Sequence, residues 1–301
     1  MTVSNSSLLI KIKSLEKSLK QKEMALKKYE QTLKDSNQRV KQILTDLQEG
    51  KALIRNIHKS LLPSHLPKIP HFKFSYKFTA TKTGISGDFF DVIQLNNPLQ
   101  FGILLSSCSS YSLTSVFLSL FLKSVPSLKK HSKSTDYFLE TFKSLSQSHT
   151  DTFHLFYGIV NRKDFTLNYC LKGDIFAGIR KAGNKKESSF TTLQTLKTTS
   201  SSLKTQKPNK QSFKSQTIEL NPKDCFILCS PGLLQRKNSK GTSFGENNII
   251  KAVQKKTGAL DIRQNILFQA NQFAGPVKSL RDQTVLIMEV KDRILKLSPG
   301  K

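Results

Sequence analysis

Two carboxylates three residues apart, Asp88 and Asp91, lie in the stretch Ser86-Gly87-Asp88-Phe89-Phe90-Asp91 and open the chemical reading of this chain. A glycine frees the backbone before them, and the apolar pair Val92-Ile93 follows. If the segment is extended, Asp88 and Phe90 point to one face while Phe89 and Asp91 point to the other. An acid beside a glycine at the entrance to an apolar run fits the edge of a hard-cation site, since Mg²⁺ and Mn²⁺ take oxygen ligands. The same spacing also describes a strand end carrying two solvated acids. The elements around it have to decide.

Charge narrows the partners only a little. The 301 residues include 48 basic and 21 acidic side chains, a formal charge of +27. Such an excess is compatible with nucleic acid, an anionic membrane face or an acidic protein. The lysines are spread along the whole chain, however, and no stretch interleaves dense Arg/Lys with aromatics, so nucleic acid and membrane are not the expected partners. A hydrophobic content of 37% without tryptophan predicts that part of the chain lies outside a core. The four cysteines, Cys108, Cys170, Cys225 and Cys229, form no CxxC pair and read as small buried residues in a reducing compartment. The N-terminus is polar and then lysine-rich, without a signal-peptide core. The most apolar run, Val116 to Val125, is too short to span a bilayer, so the cytoplasm is the expected location.

Residues 7–62 carry a seven-residue rhythm: Ile12, Leu19, Leu26, Leu33, Val40, Leu47, Ile54 and Leu61 recur without a gap. Sustained heptads predict a coiled-coil helix and hence a homodimer; a long single helix lying on the domain is the alternative. Leu61-Leu62-Pro63 ends the helix, because proline cannot continue it. From Phe72 the period changes to two, with Phe72, Phe74, Tyr76 and Phe78 on one face of a half-buried strand. The acidic stretch and Val92-Ile93 form a second strand, and Phe101 to Leu105 a third, apolar on both faces and so central. Helices are expected at Ser112 to Leu122 and Asp136 to Ser146, then strands at Phe153 to Val160, Phe165 to Leu171 and Ile175 to Arg180. Residues 182–215 are Lys/Ser/Thr-rich and read as a long mobile loop, with a poorly patterned strand pair as the alternative. Strands follow at Thr217 to Leu220 and Cys225 to Cys229, then the turn Ser230-Pro231-Gly232. Helices at Asn247 to Lys256 and Ile262 to Phe273 and a closing strand at Thr284 to Val290 complete the chain. Strands around a helical pair, then more strands and helices, predict an α+β sandwich of sheets covered by helices.

In this order the segments resemble the SpoIIE/RsbU-like branch of the PPM (type 2C) serine/threonine phosphatases, over Ile54 to Val290. "IHKSLLP" at 57–63 resembles the helix end I-Q-x-x-L-L-P, and "SGDFFDV" at 86–92 resembles G-G-D-F-Y-D. "DTFHLFYGIVNRKDFTLNYCLKGD" at 151–174 is similar to the hairpin "F-Y-G-x-x-D … L-x-Y-x-N-A-G-H". "NPKDCFILCSPGLLQRKNSKGTSFGENNI" at 221–249 tracks "P-G-D-x-L-L-L-Y-T-D-G-V-T-E-A-R-N … F-G-E-x-x-L", and "LRDQTVLIMEV" at 280–290 fits "D-D-x-T-L-L-V-V". No single piece is specific; their order and spacing together are. The resemblance implies a PPM-type sandwich of antiparallel sheets at 63–292, with the helix at 7–62 serving dimerisation or signalling.

It also implies a mechanism, in which two Mg²⁺ or Mn²⁺ ions held by aspartates activate a water to attack a phosphoserine or phosphothreonine phosphorus. Asp88, Asp91 and Asp282 match the family's metal aspartates. The central motif D-V-S-G-H-G falls on Ser106 to Tyr111, which puts Ser106 where the family has an aspartate, and T-D-G reads Ser230-Pro231-Gly232, which puts Pro231 where it has another. Losing two charges from a site for two divalent ions costs several kcal/mol of metal affinity, as an order of magnitude. The expectation is therefore a pseudophosphatase that binds an anti-sigma-factor antagonist-like phosphoprotein or other signalling protein without turning it over. The alternative is an active Mg²⁺/Mn²⁺-dependent phosphatase with a reduced site.

Overall fold

The structure, a computed structural model, describes residues 5–81, 87–130, 153–182, 193–195, 215–254 and 256–291. The chain divides into two units, Met1–Asn56 and Ile57–Lys301. Helix α1, Asn5–Leu61, makes up the described part of the first unit and ends in the second. Within the first unit the heptad side chains Ile12, Leu19, Leu26 and Leu33 are 51–64% exposed. An apolar stripe of this length left in water is what a partner helix would cover.

The second unit is two antiparallel five-stranded sheets with helices on both outer faces. One sheet contains β2 (Gly87–Gln94), β3 (Gln100–Cys108), β4 (Phe153–Asn161), β5 (Thr166–Lys172) and β8 (Gln216–Glu219), in the order β2-β3-β4-β5-β8. The other contains β1 (Phe72–Thr79), β6 (Phe176–Arg180), β7 (Leu193–Thr195), β9 (Cys225–Cys229) and β10 (Gln283–Val290), in the order β1-β10-β9-β6-β7. Helix α2 (Tyr111–Lys130) covers the first sheet; α3 (Pro231–Leu234), α4 (Gly245–Gln254) and α5 (Ala259–Ala274) belong with the second. This is the expected α+β sandwich.

Period-two alternation sorts the side chains into three cores. Phe90, Phe101, Ile103, Leu105 and Phe156 meet Phe226, Leu228, Leu286 and Met288 between the sheets. Their sequence neighbours Phe89, Leu104, Leu155 and Tyr157 pack outward under Phe117 and Phe121 of α2. On the far side Ile227, Val285 and Ile287 pack against Ile249, Val253, Ile262 and Ile266 of α4 and α5. The four cysteines are buried and unbridged.

Three local expectations change. Helix α2 runs on to Lys130 with Pro126 inside it, beyond the Leu122 end that the pattern predicts. Leu193–Thr195, inside the segment read as a loop, forms a short edge strand paired with β6 from Gly178↔Thr195 to Arg180↔Leu193. Ser230-Pro231-Gly232 is not a turn but the start of α3, where proline at the first helical position has no donor to lose. The helix expected at 136–146 and most of the 182–215 segment lie outside the described residues.

Candidate active site

At one end of the space between the sheets the apolar packing stops and polar side chains converge. Strand register explains which ones. Asp88 pairs with Ser107, and Ser107 with His154, so the three stand in a row on the inner face, two residues beyond Phe90, Leu105 and Phe156. The opposite sheet contributes Ser230, just past β9, and Thr284 of β10. Asp282 stands immediately before β10.

Asp88 is fully buried among hydroxyls. Its Oδ1 accepts from Ser107 Oγ at 2.6 Å and its Oδ2 from Thr284 Oγ1 at 2.9 Å. The Ser230 hydroxyl also donates to it, while Ser230 Oγ accepts the Thr284 N–H at 2.9 Å. The main chain of Asp88 is fixed as well, because buried His58 places Nε2 2.7 Å from its carbonyl oxygen. Asp282 is buried beside it, with Oδ1 accepting the Thr81 N–H at 2.9 Å. Burial first, and then the charge of Asp282, push Asp88 from 3.8 up to about 7, against the three hydroxyl hydrogen bonds that favour the carboxylate. Gly232 allows this convergence: a Cβ there would run into the backbone carbonyl oxygen of Asp282. His154 closes the row, its Nδ1 accepting the Asp174 N–H at 2.8 Å, which leaves the proton of the neutral ring on Nε2. Burial holds the imidazoles of His58 and His154 below the ordinary histidine value.

The expected site residues are placed unequally. Asp88 and Asp282 come together. Asp91 does not join them: it is on the outer face with Phe89, and its Oδ1 accepts the N–H of Val92 at 2.7 Å. Ser106 is on the outer face too, paired with Phe89 and next to the Phe89 carbonyl, so the serine that faces Asp88 is Ser107. The motif position Ser106 and the inward-facing Ser107 are one residue apart, and in a strand one residue is a change of face. Pro231 is buried at the start of α3 and offers no side-chain oxygen. Asp224 is committed elsewhere, to Lys181 Nζ at 3.0 Å and to the N–H groups of Ala182 and Asn221. Ser107, Thr284, Thr81, His58 and His154 were not anticipated; the shared inward parity of residues 107 and 154 with Asp88 was the signal available for two of them.

No protein-family model matches the sequence, and no curated protein is recognisably similar to it. Solved structures are similar in fold. The SiaA PP2C domain of Pseudomonas aeruginosa matches with a TM-score of 0.58 at 14% identity, over 81% of this chain and 96% of that one. The phosphatase domain of SpoIIE from Bacillus subtilis matches with a TM-score of 0.51 at 15% identity, over 77% and 98%. This chain has the PP2C-type phosphatase fold. A further similar structure holds the RsbU and RsbW domains of Rv1364c from Mycobacterium tuberculosis, with a TM-score of 0.52 at 15% identity, over 75% of this chain and 62% of that one.

Within the PP2C-type fold, the donor set here can be weighed against a pair of divalent ions. Mg²⁺ requires near-octahedral oxygen coordination, and two ions require several carboxylates to offset their charge. Among the described residues two carboxylates converge, and no group of three or more His, Cys, Asp or Glu side chains is arranged to hold a metal. Both oxygens of Asp88 already accept from hydroxyls. These residues do not fit a two-metal centre.

Proposed function

We propose that this chain is a SpoIIE/RsbU-like PPM-type homologue that has lost turnover and acts as a regulatory binding module for a phosphoprotein. The observation that carries the reading is the enclosure of Asp88 by Ser107, Ser230 and Thr284. Hydroxyls that donate to both carboxylate oxygens occupy lone pairs a metal would need, and burial lifts the acid to about 7, where it is half protonated at neutral pH. The partner in this reading is an anti-sigma-factor antagonist-like phosphoprotein or another signalling protein in a partner-switching pathway; the similar Rv1364c structure combines RsbU and RsbW domains. Residues 7–62 act as a dimerisation and signalling coiled coil, supported by the exposed heptad stripe, and 63–292 as the phosphatase-like domain. Among the described residues no helix is long and apolar enough to cross a membrane, which is consistent with a cytoplasmic protein.

The convergence of Asp88 and Asp282 favours one second reading, a reduced phosphatase holding a single Mg²⁺ or Mn²⁺ between them. The test is Mn²⁺-dependent hydrolysis of a phosphoserine protein and of an aryl phosphate, run beside Asp282→Ala. The binding-module reading expects both chains at background. Metal-dependent hydrolysis by the natural chain that disappears in Asp282→Ala would establish the second reading instead.

A further inference from the structure

Next to Asp282, a cavity of about 250 Å³ has four cationic residues in its lining beside the apolar Val277 and Leu280. Arg236, Lys237, Lys278 and Arg281 all contribute, with Gln235 and Ser279, and no acidic residue lines it. Its wall at Gly232 is the backbone that packs on the Asp282 carbonyl.

The general excess of lysine does not account for this cluster. Arg236 is half-buried; its Nη1 donates to Gln283 Oε1 at 3.3 Å, and its Nε is buried with no hydrogen-bond partner. An unsatisfied buried guanidinium N–H is costly. Burial accordingly pulls the Arg236 guanidinium below its ordinary range. The positive charge of Arg281 extends to His154, whose imidazolium it disfavours.

The loop that carries five of the lining residues, Val277 to Arg281, is held in place. Ser279 Oγ donates to the Arg281 carbonyl at 2.7 Å and accepts from Gln283 Nε2 at 2.9 Å, while the Ser279 carbonyl accepts from Thr81 Oγ1 at 3.0 Å. The Val277 N–H bonds to the Ala274 carbonyl at the end of α5. Cationic side chains on a fixed loop lower the ordering cost of binding an anion.

We infer that this cavity binds a phosphate group, either inorganic phosphate or the monoester of a phosphorylated protein side chain. Two guanidinium forks suit the paired oxygens of a tetrahedral dianion, and two ammonium groups complete the charge balance. The inference is independent of whether the acidic site turns over, since neither Asp88 nor Asp282 lines the cavity.

Calorimetric titration of the full chain tests it, with sodium phosphate, a phosphoserine peptide and the unphosphorylated peptide, each at ionic strength matched with sodium chloride. Saturable phosphate binding is expected. It should weaken at least tenfold in Arg236→Gln/Arg281→Gln and stay unchanged in Lys27→Gln/Lys28→Gln, which removes the same charge from exposed positions on α1. If the arginine variant fails to fold by circular dichroism, Lys237→Gln/Lys278→Gln, altered at two exposed side chains, should still weaken binding severalfold. Preference for the phosphorylated over the unphosphorylated peptide identifies a protein-borne phosphate; binding of phosphate alone identifies the free ion. Heat no greater than with chloride, or equal losses in the α1 variant, would overturn the inference.

Discussion

Replacing Asp88 by asparagine should stabilise the protein at neutral and alkaline pH. Burial and the neighbouring Asp282 lift the Asp88 carboxyl from 3.8 to about 7, a rise of about three units. At roughly 1.4 kcal/mol per unit, ionising it in the folded chain costs about 4 kcal/mol more than in the unfolded chain. The sign follows from proton uptake. Below the unfolded value both states hold the proton and there is no cost. As the pH rises above that value the unfolded chain releases its proton while the folded chain keeps it, so stability falls until the folded group also ionises, near 7. The full cost is present above that point. Asparagine keeps the shape and an acceptor oxygen for Ser107 or Thr284, and its amide can donate to a hydroxyl oxygen, so most of the cost should be removed. Urea denaturation of both chains from pH 4 to 9 in chelator would measure this. The variant should gain about 2–4 kcal/mol at pH 8 and lie within about 1 kcal/mol of the natural chain at pH 4. Equal stability at pH 8, or a less stable variant, would refute the reasoning, since the hydroxyl hydrogen bonds would then outweigh burial. Repeating the pH 8 measurement with millimolar Mn²⁺ should change neither chain.

His58→Ala removes the donor to the buried Asp88 carbonyl and should cost about 1–3 kcal/mol in denaturant titration at pH 8. Because burial holds His58 and His154 below the ordinary value, the histidines should contribute a loss of stability as the pH falls below about 6.5, opposing the gain from Asp88, and His154→Gln should gain stability relative to the natural chain below that pH in the same experiment. Gly232→Ala forces the Asp282 carbonyl to move and should lower stability by about 1–3 kcal/mol; an increase in melting temperature would show that the two backbones are not in contact. Leu26→Asp with Leu33→Asp should convert a dimer to a monomer by light scattering, leaving the circular dichroism of the sheets unchanged.

Alternation made much of the sandwich legible. Phe72 to Phe78 and the pair Phe89-Phe90 announce which side of the strand meets a core, because each apolar side chain has a polar or oppositely facing neighbour. Ser106 and Ser107 carry no such contrast. Both are small, polar and buried, and only the pairing of β3 with β2 decides that Ser107 faces Asp88. The hydroxyl enclosure was hidden for a different reason. Thr284 is 196 residues from Asp88 along the chain, and nothing near either residue marks their meeting. Pro126 and Lys123 punctuate the sequence of α2 and so shortened its predicted extent, whereas the packing of Phe117 and Phe121 on β2 and β4 supports the helix past them. The three residues of β7 are too few for any period to show.

Strand β2 is the last strand on its side of the sheet, with β3 as its one strand neighbour. An outer rim of this kind offers unpaired backbone groups to any extended chain that drifts against it, and strand addition there leads to aggregation. Two side chains already occupy that rim. His58 takes up the Asp88 carbonyl, and the Asp91 carboxylate takes up the Val92 N–H. Asp91, which faces away from the acidic pair, thus serves as a guard on the open margin of the sheet, placing a negative charge where a second strand would have to dock. On this view the second acid of the motif disfavours strand addition at this margin of the sheet.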